Sequence, residues 1–157
     1  MESQVTNENA DIALAAALRG QAIDFWEAAK YVQAGLDIEE RGGSFKAPLD
    51  FLICHAAECL LKCALLKRGT AERELRAQNT RHSLKALLDK LDEYDLPISD
   101  RARAVLLGLD ETHRKHWTRY PKREAEMIGG HVGVKYPYNF ELLNELLGLT
   151  RISKFGK

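Results

Sequence analysis

The segment from residue 49 to residue 66 is apolar on nearly every side of a helix, and it constrains the fold more than any other part of the chain. A helix of this kind is stable only when other elements surround it, so we expect it at the centre of a bundle. Pro48 is tolerated in its first turn, a Gly42-Gly43-Ser44 turn precedes it, and Gly69 supplies a stop. Its large apolar residues are Leu49, Phe51, Leu52, Ile53, Leu60, Leu61, Leu65 and Leu66.

Apolar residues at three- and four-residue spacings predict further helices, and strand patterns are almost missing. We therefore expect an all-α fold, an up-and-down helical bundle of four to five helices in a single domain (1–157), with its core at about 10–152 and a long loop at about 119–139. The predicted helices run from about Asn9 (capped by Asn7 or Asn9) to about Glu40, bent or divided at Gly20 and Gly35; from Thr80 or His82 to before Pro97; from the cap Ser99 to about Trp117; and from about Phe140 to Ile152.

Charge is balanced over the whole chain but not along it. Of 157 residues, 23 are Lys or Arg and 23 are Asp or Glu, which argues against a broadly basic nucleic-acid binder. Residues 1–46 hold eight acids and four bases, residues 47–98 hold eight of each, and residues 99–157 hold seven acids and eleven bases. A local anion site in the last third therefore remains compatible with the composition.

The sequence predicts neither a membrane span nor a secretory signal. The longest uncharged apolar runs, Ile12–Leu18 and Phe51–Ala57, fall far short of the roughly 20 residues that a spanning helix needs. The chain starts Met1-Glu2 without a basic region, so we expect a cytoplasmic protein. Three cysteines in one apolar segment suit small core residues in a reducing compartment.

His55, Glu58 and Lys62 form a polar stripe along the otherwise apolar second helix, at the three- and four-residue spacings that share one face. One interpretation is a narrow edge that faces solvent, with an ordinary Glu58–Lys62 ion pair. The other places the stripe in a groove between helices or against a partner chain. The spacing alone does not decide between them.

Arg81 and His82 stand at the predicted start of the third helix, after Thr80. The simpler interpretation is that Thr80 caps this helix and His82 makes a local hydrogen bond. Alternatively, the two residues contact an anion, because helix N-termini favour negative ligands.

The end of the fourth helix combines basic, histidine and aromatic residues more densely than any other segment. Part of this enrichment is structural, because basic residues stabilise a helix C-terminus. The mixture also suits a surface that binds phosphates and stacks bases. The candidate ligand-binding residues here are Arg114, His116, Arg119 and Tyr120.

We expect no metal site and no cofactor. His55 and Glu58 could be combined with Asp110 and His113, since each pair has an i,i+3 spacing, but the Glu-x-x-His order of carboxylate metal sites is missing. The cysteines lack a zinc-ligand spacing, and the glycines at 129, 130 and 133 lack the lysine of a phosphate-binding loop.

Four pieces of the sequence, in this order, resemble the HEPN family of small helical domains, named for nucleotide binding in higher eukaryotes and prokaryotes. They are the stretch His55-Ala56-Ala57-Glu58-Cys59-Leu60-Leu61-Lys62 with Leu65-Leu66 and Gly69; Arg81-His82-Ser83-Leu84 with Leu87-Leu88; Thr118-Arg119-Tyr120-Pro121; and the leucine-rich final helix. The resemblance implies a four- or five-helix bundle, commonly a homodimer, with a groove for nucleotides or RNA. It also implies a possible nucleotidyltransferase partner in a toxin–antitoxin system.

Many members of that family are metal-independent ribonucleases that use an Arg followed four to six residues later by a His on a late helix. This chain departs from that motif, since Arg114 and His116 are too close and Arg123 and His131 too far apart. We therefore predict a binding module rather than an enzyme, with Glu58, Lys62, Arg81, His82 and the basic segment as ligand contacts. The alternative is a ribonuclease in which His116 or His82 acts as general acid or base beside Arg114, Arg119 or Arg81.

Overall fold

The computed structural model describes residues 2–39, 46–114 and 140–151, with side chains for 9–35, 48–110, 113 and 140–151. Within these ranges the chain forms six helices and no strand, which confirms the all-α helical bundle. None of the described helices combines the length and the apolar character that crossing a membrane requires. The helices are α1 (Glu2–Glu39), α2 (Lys46–Lys67), α3 (Glu72–Leu75), α4 (Leu84–Asp92), α5 (Asp100–Arg114) and α6 (Phe140–Leu149).

The central position of α2 is confirmed. It packs against α1, α4, α5 and α6, and Leu60, Leu61 and Leu65 are almost completely buried. Gly69 ends the helix with a φ of 97°, and its N–H donates to the carbonyl of Leu66. Only glycine adopts this φ without strain, so the predicted stop is also confirmed.

Helix α1 is one continuous helix rather than two. It begins at Glu2, so Asn7 and Asn9 lie inside it and the predicted N-cap was wrong. Gly20 and Gly35 do not interrupt it, because an isolated glycine costs a helix only about 1 kcal/mol and packing against a neighbour offsets that cost.

The contact between α1 and α2 is built on small residues. Among the described side chains of α1, at 9–35, the fully buried ones are Ala15, Ala22 and Ala29, seven residues apart, and they belong to the central core. Contacts of Gln21 with Cys59 and of Phe25 with Phe51 show that the two helices run antiparallel.

Helices α4 and α5 form a second antiparallel pair. Near one end Ser83 bonds to Asp110, and near the other Asp92 pairs with Arg103. Ser99 caps α5 as predicted, its Oγ accepting from the N–H of Ala102 at 3.1 Å.

Several predicted boundaries need correction. The residue that caps α4 is Ser83, whose Oγ accepts from the N–H of Ala86, and not Thr80. The single-turn helix α3 was not predicted, and α6 ends at Leu149. Trp117 and the predicted loop at about 119–139 lie outside the described residues.

Candidate functional site

A single buried carboxylate, that of Glu58, gathers side chains from three parts of the fold. Glu58 is only 5% exposed to solvent. His113 Nε2 lies 2.6 Å from Glu58 Oε2, and Lys62 Nζ donates to Glu58 Oε1, also at 2.6 Å. Each carboxylate oxygen therefore has a close partner, as a buried charge requires.

Two more histidines approach the same carboxylate. His82 Nδ1 lies 3.4 Å from Glu58 Oε2, and His55 Nδ1 lies 3.8 Å from the same oxygen. The ring of His113 stands 4.9 Å from that of His55 and 6.2 Å from that of His82, between centroids. We call these five residues, His55, Glu58, Lys62, His82 and His113, the Glu58 cluster.

The sequence places the cluster where three elements meet. His55, Glu58 and Lys62 share one face of α2, His113 is the penultimate residue of α5, and His82 lies just before α4. Because other helices surround α2, its polar stripe faces the interior, and the interpretation as a solvent-facing edge is wrong. The stripe lies between helices, as the other interpretation predicted.

Aromatic packing holds His55 in place. Its ring stacks on Phe25 at 5.4 Å between centroids and meets Phe51 edge-on at 4.3 Å. These contacts restrain the imidazole on two sides. The orientation of His55 is thus fixed by residues of both α1 and α2.

The environment keeps Glu58 ionised. Burial by itself would raise its pKa, but the hydrogen bond with His113 and the charge of Lys62 outweigh burial and lower the pKa to about 2. At neutral pH the centre of the cluster is therefore a carboxylate anion.

His82 is the exposed member of the cluster, with 26% of its side chain accessible. Burial lowers its pKa below the ordinary value, and the neighbouring Glu58 carboxylate raises it without reversing the shift. His82 is therefore a neutral imidazole at neutral pH, able to accept a proton or a hydrogen bond.

Lys62 connects α2 to the segment before α4. Its ammonium also donates to the backbone carbonyl of Arg81 at 2.8 Å. Since the nearby Glu58 balances the charge of Lys62, the guanidinium of the exposed Arg81 is the stronger attraction for an anion at this surface.

Asp110 has a different role from the one considered in the sequence. Its Oδ1 accepts from Ser83 Oγ at 3.1 Å and from the N–H of Lys85 at 2.9 Å. An internal carboxylate thus already occupies the N-terminus of α4, where we considered an external anion.

Of the predicted ligand-binding residues, the structure brings the side chains of Glu58, Lys62 and His82 together, and Lys62 bonds to the backbone carbonyl of Arg81. The side chain of Arg114, and all of His116, Arg119 and Tyr120, lie outside the described residues. His55 and His113 belong to the cluster although they were not predicted as ligand residues. The sequence signal for them was their spacing: His55 lies three residues before Glu58, and His113 lies three residues after Asp110.

The cysteines are core residues, as predicted. Cys54, Cys59 and Cys63 are buried and unbridged. Burial raises the pKa of all three thiols, that of Cys59 to about 12, so they stay protonated at neutral pH.

Comparisons of the chain with protein-family models, with curated proteins and with solved structures found no match. The resemblance to HEPN domains therefore stays a prediction.

Proposed function

We propose that this chain is a HEPN-like binding module that binds the phosphates of a nucleotide or an RNA beside the Glu58 cluster. The observation that carries the proposal is the convergence of the side chains of Glu58, Lys62 and His82 with the backbone of Arg81, from two separate segments. Arg81 contributes an exposed charge, and His82 contributes a partly exposed imidazole.

The position of His113 supports the proposal of a phosphate-binding surface beside the Glu58 cluster. It is buried against Glu58, and the basic segment that contains Arg114 and Arg119 begins with the next residue. We propose that these basic residues, which are distant from Arg81 in sequence, contribute further charges to the same ligand site.

We further propose that the module works in the cytoplasm. The resemblance adds two proposals: the module acts as a homodimer, and it partners a nucleotidyltransferase in a toxin–antitoxin system. The nucleotidyltransferase proposal is tested most simply by whether the neighbouring reading frame encodes such an enzyme.

Titration with ATP and with a short single-stranded RNA, each at low and high salt, tests the binding proposal. Affinity must fall as salt rises, because phosphate contacts release counterions. Arg81→Ala is expected to weaken binding and to reduce the salt slope by about 1.

Arg101→Ala is the matched control, since it removes the same charge from an exposed position twelve residues before His113, roughly 18 Å along α5. Its affinity should equal that of the wild type. An absence of salt-sensitive binding, together with a monomer in solution, would reject the module as proposed.

A second candidate function, a metal-independent ribonuclease, is supported by the contact of His82 with Glu58. A carboxylate beside a neutral imidazole orients the ring for general acid–base chemistry, and the exposed Arg81 can stabilise charge on a phosphorane.

Incubation with structured RNA in the presence of a chelator separates the two functions. Catalysis by this site predicts cleavage by the wild type and its loss in His82→Ala; the variant His116→Ala tests the other candidate. Identical traces for all three proteins would remove the ribonuclease.

A further inference from the structure

The Glu58 cluster contains a second arrangement, which does not depend on the proposed function. His55, Glu58 and His113 each offer one ligand atom, and these atoms all lie within 4.8 Å of one another. We propose that this group binds one divalent transition-metal ion of the zinc class.

The distances fit such an ion after movements of about 1.5 Å or less; the ligand atoms of His55 and His113 lie within 4.8 Å of each other and have the most to close. Bonds of about 2.0–2.1 Å in a tetrahedral site place neighbouring ligand atoms about 3.3 Å apart. His55 Nδ1 is 3.8 Å from Glu58 Oε2, so this pair must close slightly. His113 Nε2 is 2.6 Å from the same oxygen, so this pair must open by less than 1 Å.

The donor set selects the class of metal. Two imidazole nitrogens and one carboxylate oxygen suit zinc and its neighbours, whereas Mg²⁺ prefers six oxygen ligands. Three protein ligands also leave one position of a tetrahedral ion for water. Aromatic packing holds one of the ligands ready, because Phe25 and Phe51 restrain the ring of His55.

The positive charge of Lys62 weakens the binding of the metal ion. Its ammonium lies 2.6 Å from Glu58 Oε1 and repels a dication bound at Oε2. Removal of this charge should therefore tighten metal binding, whereas a purely structural ion-pair network predicts no metal binding with or without Lys62.

Equilibrium dialysis of metal-free protein with Zn²⁺ provides the test, with Mg²⁺ as the control ion. We expect one Zn²⁺ per chain in the wild type, no retained Mg²⁺, and tighter Zn²⁺ binding in Lys62→Met. His113→Gln, which keeps much of the shape of the side chain, should weaken Zn²⁺ binding by at least about tenfold.

The Co²⁺-loaded protein identifies the ligands. Nitrogen and oxygen ligands give visible d–d absorption without the near-ultraviolet charge-transfer band of a cysteine thiolate. The proposal is overturned by a thiolate band, by a wild type that retains no Zn²⁺, or by full binding in His113→Gln. If His113→Gln fails to fold, the comparison with Lys62→Met decides, and binding no tighter than that of the wild type rejects the site.

Discussion

Glu58 shows how one residue connects the packing of this bundle to its chemistry. Its carboxylate is buried on a central helix, where a lone charge would be strongly destabilising. Lys62 and His113 remove that penalty, and in doing so they fix the end of α5 and the segment before α4 onto α2. The residue that organises the candidate site is therefore also one that stabilises the fold.

Replacement of Glu58 by Gln should destabilise the protein by about 3 kcal/mol at pH 7, because it removes the charge that Lys62 and the three histidines face. The pKa of Glu58 in the folded protein, about 2, lies below its ordinary value of 4.5. Its contribution to stability is thus complete above pH 4.5 and disappears as the pH falls toward 2. Urea unfolding in chelator at pH 7 and pH 3 should show the difference between wild type and variant shrinking in acid.

Glu74→Gln is the control, because this exposed carboxylate pairs with Lys90 at the surface. It should change stability little at either pH. A difference for Glu58→Gln that is the same at both pH values would contradict the ionised, paired state of Glu58.

Spacing predicted part of this site and could not predict the rest. The positions of His55, Glu58 and Lys62 showed that they share one helix face, because that depends only on the helical repeat. The approach of His113 depends on how α5 packs against α2, and no local pattern encodes that. The role of Asp110 was not predicted for the same reason: its partners, Ser83 and Lys85, lie at the start of another helix.

At the scale of elements, the close approach of α1 and α2 depends on a seam of alanines. Ala15, Ala22 and Ala29 are each at most 1% exposed, so nothing larger fits between the helices without displacing one of them. The same contact supports Phe25, which stacks on His55.

Ala22→Leu should therefore cost about 1–3 kcal/mol of stability through overpacking. Ala17→Leu makes the same change at an exposed position of the same helix, where leucine is nearly as good a helix former, and should be close to neutral. Thermal unfolding of the two variants measures the difference. Equal melting temperatures would show that the seam is not tightly packed.

The helices themselves were largely predictable, and the misses have physical reasons. The apolar pattern identified α2, and the residue types glycine and serine marked the stop at Gly69 and the cap at Ser99, because these signals act within a few residues. The four-residue α3 is too short to show a period. The start of α1 was misplaced because Asn7 and Asn9 are good caps that the chain does not use as caps.

For the whole molecule, the total charge is zero, but the charged residues are unevenly distributed. The described part of the chain places an exposed Arg81 beside a buried, balanced ion-pair cluster, and the most basic third of the sequence continues from that same end of α5. Such a surface can attract phosphates locally without a broadly basic protein. The fold places the segment at Arg81 and His82 beside Glu58, a contact that neither sequence segment contains alone.

The most direct measurement of this account maps the ligand onto the fold. Backbone and imidazole resonances of ¹⁵N-labelled protein are recorded as ATP or a short single-stranded RNA is added. We predict the largest shifts within the described residues at Arg81 and the His82 ring, with little change at Arg101, at the far end of α5, and at its ion-pair partner Glu141 of α6. Largest shifts at Arg101 and Glu141, or no shifts at saturating ligand, would contradict a phosphate-binding site beside Glu58.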